Sequence, residues 1–320
     1  MDTQHVKDFY TYLQSQQTSQ SFLYRCYQQL EGVNAEVKSF ENTHAFINYL
    51  DHGLRFYETG KQLETLLQPL LLFYGMSHLL KAALLTVRPD YPESTAILAH
   101  GVSARKRKKR DYTFMADEVK LQNNGLYPYA AKYLFAVNEP PFTKVTMAQL
   151  LSLIPEMDSL WTFQRKQKLA AVGDAGGGQL QFPASLLDSY HITANALIKR
   201  IKPFVPAIER QETNRTSIAV TLDQPFQPAA NSPFFTDSKC QKLYFPYHRE
   251  NFLAIPEVLL HYLLLYNLSM LCRYEPEWWG DLLTDRPDQD YSFVKAFLNI
   301  TSEKVPLMLG RILLQKHDSL

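Results

Sequence analysis

Two long apolar stretches, each interrupted by polar side chains, constrain the fold of this chain most strongly. The first spans Pro69–Leu85 and the second spans Phe252–Cys272. Their interruptions are Ser77, His78 and Lys81 in the first stretch, and Glu257, His261 and Asn267 in the second. A bilayer span needs about 20 mainly apolar residues without such groups. We therefore expect two buried helices in a protein that does not cross a membrane.

The region around the first stretch has the clearest helical pattern of the chain. Between Lys61 and Val87, leucine and aromatic residues recur with a period near 3.6, and Pro89 follows the end of the pattern. Pro69 lies inside this region and predicts a kink or a division into two helices. An upstream helix is predicted over residues 43–57, with Gly60 as its stop.

A β-hairpin is predicted near residues 112–135. Apolar residues alternate loosely over 112–121, and Gln122–Gly125 has the composition of a tight turn. Leu126–Phe135 is then the expected return strand. A second glycine-rich stretch, Gly173–Gly178, lacks the Lys-Ser/Thr pair of a P-loop and is predicted to be a flexible connector.

The proline distribution predicts the domain organisation. Six of the 18 prolines lie in residues 202–251, among short runs of β-branched and aromatic residues. We expect a mainly α (α+β) protein, in which a helical bundle carries the hairpin and a strand-containing insertion. The expected divisions are an N-terminal helical region over 1–201, a Pro-rich elaboration over 202–251, and C-terminal helices over 252–320 that complete the same helical core.

The charges of the chain are nearly balanced, but one cluster stands out. The 33 Lys and Arg residues face 32 Asp and Glu residues, for a net charge of +1, which argues against an extended nucleic-acid track. Six consecutive cations lie together: Arg105, Lys106, Arg107, Lys108, Lys109 and Arg110. Without this basic run the net charge would be −5. The run predicts a patch that binds phosphates or an acidic partner, with Tyr112 and Phe114 as stacking residues, and the alternative is a solvated loop without a ligand.

A second candidate binding site combines aromatic and charged residues at the predicted end of the second apolar helix. Arg273 is followed by Tyr274, Trp278 and Trp279. Arg273 and Trp278 could contact a partner or ligand beside an aromatic platform. In the alternative, an Arg–carboxylate pair and packed indoles only lock the helix end.

The sequence predicts neither a catalytic site, a metal site nor a cofactor. No His-Glu-x-x-His, Cys-x-x-Cys or Gly-x-Ser-x-Gly pattern occurs. A site assembled from distant residues stays open, so enzymatic activity is left undecided. The three cysteines are widely spaced, which is typical of a reducing compartment and predicts a cytoplasmic protein.

Four segments resemble the bacterial YaaC-like family: Leu70–Leu85, His100-Gly101, Leu150–Glu156 and Tyr262–Trp278. Members of this family are often encoded beside IMP dehydrogenase. The resemblance therefore implies a role in purine-nucleotide metabolism, with IMP dehydrogenase as a candidate partner and a purine nucleotide as a candidate ligand.

The first of these segments is also similar to the core helix of HEPN domains, through Tyr74-x3-His78-x3-Ala82. This similarity implies a HEPN-like helical core. HEPN ribonucleases carry Arg-x4–6-His in a late helix, and here Arg311 and His317 have that spacing.

Three functions stay open at this point. The first is a non-catalytic regulatory or adaptor protein that binds a purine enzyme. The second is an RNA-binding or RNA-cleaving protein of the HEPN type that uses Arg311 and His317. The third is a scaffold without a small ligand.

Overall fold

The structure is a computed structural model that describes residues 3–104 and 112–320. Its helices are, in chain order, α1 (Thr3–Tyr12), α2 (Gln16–Gln28), α3 (Ala35–Gln62), α4 (Gln68–Leu85), α5 (Leu126–Phe135), α6 (Met147–Leu151), α7 (Asp158–Phe163), α8 (Ser185–Tyr190), α9 (Ala194–Ile201), α10 (Glu257–Tyr274), α11 (Pro276–Asp285) and α12 (Gln289–Asp318). Its strands are β1 (Val102–Ala104), β2 (Glu118–Leu121), β3 (Lys144–Thr146), β4 (Leu169–Asp174), β5 (Gln179–Pro183), β6 (Ile208–Thr213), β7 (Ser217–Leu222), β8 (Phe235–Thr236) and β9 (Lys242–Pro246).

The predicted mainly α (α+β) class is confirmed, since helices account for 56% of the structure and strands for 13%. The chain divides into two compact units. The helical unit contains the described residues up to Asn138 together with His261–Leu320, and the sheet unit contains Glu139–Leu260. Among the described residues, no helix combines the length and apolar character that crossing a membrane requires.

The helical unit is built around α3 and α4. The Asn34 side chain caps α3 by accepting a hydrogen bond from the Val37 N–H at 3.2 Å. The predicted division at Pro69 is confirmed, because α3 ends at Gln62 and Pro69 lies in the first turn of α4, where proline is tolerated. The predicted stop at Gly60 is wrong. Gly60 lies inside α3, where an added Cβ would be only 3.0 Å from the Leu72 side chain, so this glycine permits close helix packing.

The predicted return strand of the hairpin is also wrong, since Leu126–Phe135 forms helix α5. The buried residues of this segment follow helical spacing: Leu126, Tyr127, Ala130, Ala131 and Phe135. Strand β2 instead pairs antiparallel with β1, which precedes the basic run, and Val102 lies opposite Leu121. The strand that pairs with β2 therefore precedes it in the chain, whereas the predicted turn at Gln122–Gly125 placed that strand after β2.

The sheet unit contains an antiparallel six-stranded sheet of order β6-β7-β5-β4-β9-β8. One face buries alternating apolar residues such as Val172, Phe182 and Val220, together with Leu186 of α8 and Leu197 of α9. Gly173–Gly178 contains the last two residues of β4 and the turn to β5. These strands form an antiparallel pair, so the predicted connector belongs to a hairpin.

The sheet unit begins well before residue 202, the predicted start of the Pro-rich elaboration. Strands β4 and β5 are the two central strands of the sheet, and β5 pairs with β7 while β4 pairs with β9. The Pro-rich residues 202–251 supply only β6–β9. The sheet unit therefore includes residues before the Pro-rich segment, and it begins at Glu139.

Candidate functional site

The basic run lies outside the described residues, and its binding role stays a prediction. The described residues on its two sides are Ala104, which ends β1, and Tyr112. Ala104 lies opposite Val119 in the β1–β2 pair. The run is thus inserted in the sequence between two strands of the helical unit.

Trp278 contacts the first described residue after the basic run. The rings of Tyr112 and Trp278 lie 4.8 Å apart between centroids at an interplanar angle of 83°, which is a favourable edge-to-face contact. Both side chains are half-buried. Tyr112 and Trp278 are therefore in contact although they lie 166 residues apart in the sequence. We call this pair the Tyr112–Trp278 platform.

A buried carboxylate positions Tyr112. The Tyr112 hydroxyl and the Asn267 side-chain amide each donate a hydrogen bond of 2.8 Å to Oδ2 of Asp117. The Glu118 N–H donates to the other carboxylate oxygen at 2.9 Å. Asp117 is 7% exposed and Asn267 is fully buried, so this network is shielded from water. Burial and the Asp117 carboxylate raise the pKa of Tyr112, which keeps its hydroxyl protonated as the donor.

A second buried carboxylate holds the segment that follows Tyr112. The N–H of Phe114 donates a hydrogen bond to Oδ2 of Asp290, near the start of α12. Asp290 is 1% exposed, and burial raises the pKa of its carboxyl to about 6. Phe114 is fully buried, which corrects its predicted role, because a ring in the core cannot stack on a base. The platform is therefore held by contacts to both α10 and α12.

The two indoles of α11 have different environments. Trp279 is fully buried, and its Nε1 donates to the Leu66 carbonyl at 3.0 Å. Trp278 instead lies against Tyr112. Only Trp278 is therefore available for a contact outside the protein.

Arg273 makes no ion pair within the described part of the chain, so the alternative of an Arg–carboxylate lock does not hold there. Its Nε donates to the Ser269 carbonyl at 3.0 Å, and its Nη1 donates to the Tyr74 hydroxyl at 3.4 Å. The guanidinium lies 5.3 Å from the centroid of the Tyr274 ring. These contacts fix the direction of the Arg273 side chain.

Arg311 and His317 do not form a compact pair. They lie six residues apart on α12, which separates their directions by about 120° around the helix axis. The His317 ring packs against Phe9 at 5.1 Å and Phe22 at 6.2 Å. Nε of Arg311 is buried and has no hydrogen-bond partner among the described residues. This arrangement gives little support to an acid–base pair for RNA cleavage.

Sequence reasoning missed Asp117 and Asn267. Asn267 had a signal, because it is a polar residue in the middle of an apolar helical pattern. Asp117 had none, since it lies in a segment of ordinary polarity. In the described ranges, no group of three or more His, Cys, Asp or Glu side chains could hold a metal ion.

The family model of the YaaC-like protein matches residues 11–313 of this chain. The match covers nearly the whole sequence, and the chain belongs to the YaaC-like family. Neither the curated proteins nor the solved structures include a match to it. The HEPN-like character of the helical core stays a prediction.

Proposed function

We propose that this protein is a non-catalytic regulatory or adaptor protein of purine-nucleotide metabolism. The basic run and the Tyr112–Trp278 platform would bind an acidic surface of a partner enzyme, for which IMP dehydrogenase is the candidate. A phosphorylated purine nucleotide would be the ligand that regulates this contact. The cysteine usage supports a cytoplasmic setting for these partners.

The observation that supports this proposal most is the contact between Tyr112 and Trp278. Trp278 lies against Tyr112, the first described residue after the basic run in the sequence. Many interfaces combine an apolar anchor with electrostatic attraction, and Trp and Arg dominate their energetics. The platform is also preorganised, because the Asp117 carboxylate holds the Tyr112 hydroxyl at 2.8 Å. Preorganisation lowers the entropy cost of association.

The same network supports a binding role over a catalytic one. The Asp117 carboxylate accepts three hydrogen bonds, so its lone pairs are largely occupied. A general base needs a free lone pair within reach of a substrate proton. Asp117 therefore acts as a positioning group for Tyr112.

Co-elution with IMP dehydrogenase in size-exclusion chromatography tests the proposal, with and without a purine nucleotide. Reversing the charges of Arg107, Lys108 and Lys109 to Glu should weaken the complex at least tenfold, and Trp278→Ala should have a similar effect. Phe163→Ala is the matched control, because Phe163 is 81% exposed in the sheet unit and lies outside the platform. Absence of co-elution under every nucleotide condition would overturn the proposal.

An RNA-cleavage assay compares this proposal with the HEPN-type alternative. The adaptor proposal expects RNA to stay intact at high protein concentration. Cleavage that disappears in both Arg311→Ala and His317→Ala, with unchanged thermal stability, would favour the ribonuclease instead.

A further inference from the structure

Strand β6 forms a long, exposed edge of the six-stranded sheet. It is the first strand in the sheet order, and within the described ranges it pairs with β7 on one side only. All residues of β6 after Ile208 are exposed. The opposite edge is formed by β8, which contains only two residues. An edge strand presents unpaired N–H and C=O groups that another strand can bind, so β6 is the edge at which this sheet can be extended.

The hydrogen-bond pattern of the β6–β7 hairpin determines which backbone groups of β6 point away from β7. The Asn214 N–H donates to the Ser217 carbonyl at 2.9 Å, at the end where the two strands join. Hydrogen-bonded pairs alternate along an antiparallel ladder. The backbone groups of Glu212 and Arg210 therefore face β7. Those of Gln211 point outward and can bond to a further strand.

Two opposite charges share one face of the sheet along β6. The side-chain amide of Gln211 donates to Oδ1 of Asn195 in α9 at 3.4 Å, so it lies on the face that the helices cover. Successive side chains of a strand point to opposite faces. Arg210 and Glu212 therefore lie together on the other face, where they form an ion pair. Their side chains are 74% and 58% exposed, so both charges are accessible to a partner.

The order of these charges makes β6 complementary to a second copy of itself. Two β6 strands can run antiparallel with Gln211 of one copy opposite Gln211 of the other. Arg210 of each copy then lies opposite Glu212 of the other, with the Cβ atoms of opposite residues about 4.5–5.5 Å apart. A shift of two residues in either direction would instead place Arg210 opposite Arg210, or Glu212 opposite Glu212. Like charges directly opposite each other are destabilising.

A shift of one residue does not fit either. Because side chains alternate with a period of two, it would place the charges of the two copies on opposite faces of the joined sheet. It would also set the outward backbone groups of one copy against inward groups of the other. The register centred on Gln211 therefore satisfies both the hydrogen bonds and the charges.

We infer that β6 is a dimer interface, at which a second copy of this chain adds its own β6 antiparallel and centred on Gln211. The two six-stranded sheets would then form one continuous sheet about a twofold axis. Such an interface is isologous, because the same residues are used by both copies. The two charge signs also disfavour strands with a different charge order. This inference goes beyond the proposed function and does not depend on it.

Sedimentation velocity of the full chain at micromolar concentrations tests the interface. We expect the native chain to sediment as a dimer. Arg210→Glu and Glu212→Arg each place like charges opposite each other in this register, so each should weaken the dimer at least tenfold. The double variant, with Arg210→Glu and Glu212→Arg together, restores opposite charges and should dimerise again.

An equimolar mixture of the two single variants provides an independent test of the register. One variant carries only negative charge at the two positions and the other only positive charge, so the two should form a heterodimer with each other. Arg215→Glu is the matched control. It makes the same change of charge at an exposed residue of the hairpin turn, outside β6, and should leave the dissociation constant within about twofold of the native value.

Far-ultraviolet circular dichroism checks that each variant is folded, and the mixture applies even where the double variant fails to fold. Three results would overturn the inference. These are a native chain that stays monomeric at every concentration, a dimer that persists unchanged in both folded single variants, and a mixture of those variants in which no heterodimer forms.

Discussion

At the scale of single residues, one buried and one half-buried titratable group give opposite pH dependences to the stability of the helical unit. Asp290 is buried with a pKa raised to about 6, and His78 has a pKa lowered to about 4 by burial and by the charges of Lys81 and His52. A raised carboxyl pKa means that the folded chain binds the proton more tightly than the unfolded chain. A lowered imidazole pKa means that the folded chain binds the proton less tightly than the unfolded chain. The two contributions overlap and partly cancel between pH 4 and 6.

Replacing Asp290 by Asn should reveal its contribution. The carboxyl group of Asp290 favours the folded state at low pH, and this contribution to the free energy of unfolding is lost as the pH rises from about 4 through about 6. The Asn side chain keeps an acceptor for the Phe114 N–H but does not titrate. Urea denaturation between pH 4 and 7 should show that the variant gains about 1–3 kcal/mol relative to the native chain as the pH rises. A constant difference across this range would contradict the prediction.

Replacing His78 by Phe should have the opposite effect. The neutral His78 ring stacks on Phe56 at 5.6 Å between centroids. Its Nδ1 is buried and finds no hydrogen-bond partner in the described part of the chain. Its contribution to stability is present above about pH 6.5 and is lost as the pH falls through about 4. The Phe variant keeps the ring contact and cannot be protonated. Between pH 6.5 and 4, the free energy of unfolding of the variant should therefore fall by about 1–2 kcal/mol less than that of the native chain. Solvent screening reduces this difference, because His78 is half-buried. Parallel stability curves for both proteins would contradict this.

Individual residues of the candidate site were only partly predictable from the sequence. Arg273 and Trp278 could be selected because a charged residue and exposed aromatics at a helix end are unusual. Tyr112 could not be joined to Trp278, since the two lie 166 residues apart in the sequence. Only the tertiary structure places their rings 4.8 Å apart between centroids.

At the scale of elements, the packing of α3 against α4 depends on facing glycines. An added Cβ at Gly75 would lie 2.8 Å from Cδ2 of Tyr57 and 3.1 Å from the Gly53 carbonyl oxygen. Tyr57 is 2% exposed, so its ring cannot move into solvent. The two helices can therefore approach closely only while both positions lack a side chain.

Gly75→Ala should destabilise the chain by about 1–3 kcal/mol through overpacking, measured by chemical denaturation. Gly280→Ala is the matched control in α11, because nothing lies within 4 Å of its Cβ position. That substitution should stabilise the chain by up to about 1 kcal/mol through helix propensity. Equal effects of the two substitutions would show that helix contact is not the cause.

Elements with a continuous helical period were predicted well, and short apolar segments were not. The division of α3 from α4 at Pro69 followed from the backbone chemistry of proline. Leu126–Phe135 was assigned to a strand because a turn-like segment precedes it, yet its apolar residues bury one face of a helix. The pattern of apolar residues over ten positions does not distinguish a helix from a strand when tertiary contacts decide which face is buried.

At the scale of the whole molecule, two separate cores underlie the division into units. Phe182 is fully buried in the sheet unit, with its ring 5.4 Å from that of Phe245. Phe46 is fully buried in the helical unit, with its ring 6.0 Å from that of Phe22. In each of these two contacts, both rings belong to the same unit.

Phe182→Ala should therefore destabilise the sheet unit by about 3–5 kcal/mol, and Phe46→Ala should destabilise the helical unit by a similar amount. Hydrogen exchange followed by mass spectrometry measures both units at once. We expect faster exchange only in the unit that carries the substitution. Uniform acceleration across both units in either variant would show that they unfold as one.

The sequence by itself determined the mainly helical class, the division at Pro69 and the concentration of positive charge in six residues, because these follow from local periodicity, proline chemistry and composition. The tertiary structure alone decided which strands pair with β4 and β5, where Trp278 lies, and which donors hydrogen-bond to Asp117. These depend on contacts between residues far apart in the chain, whose free energy is set by burial and shape and has no local signal.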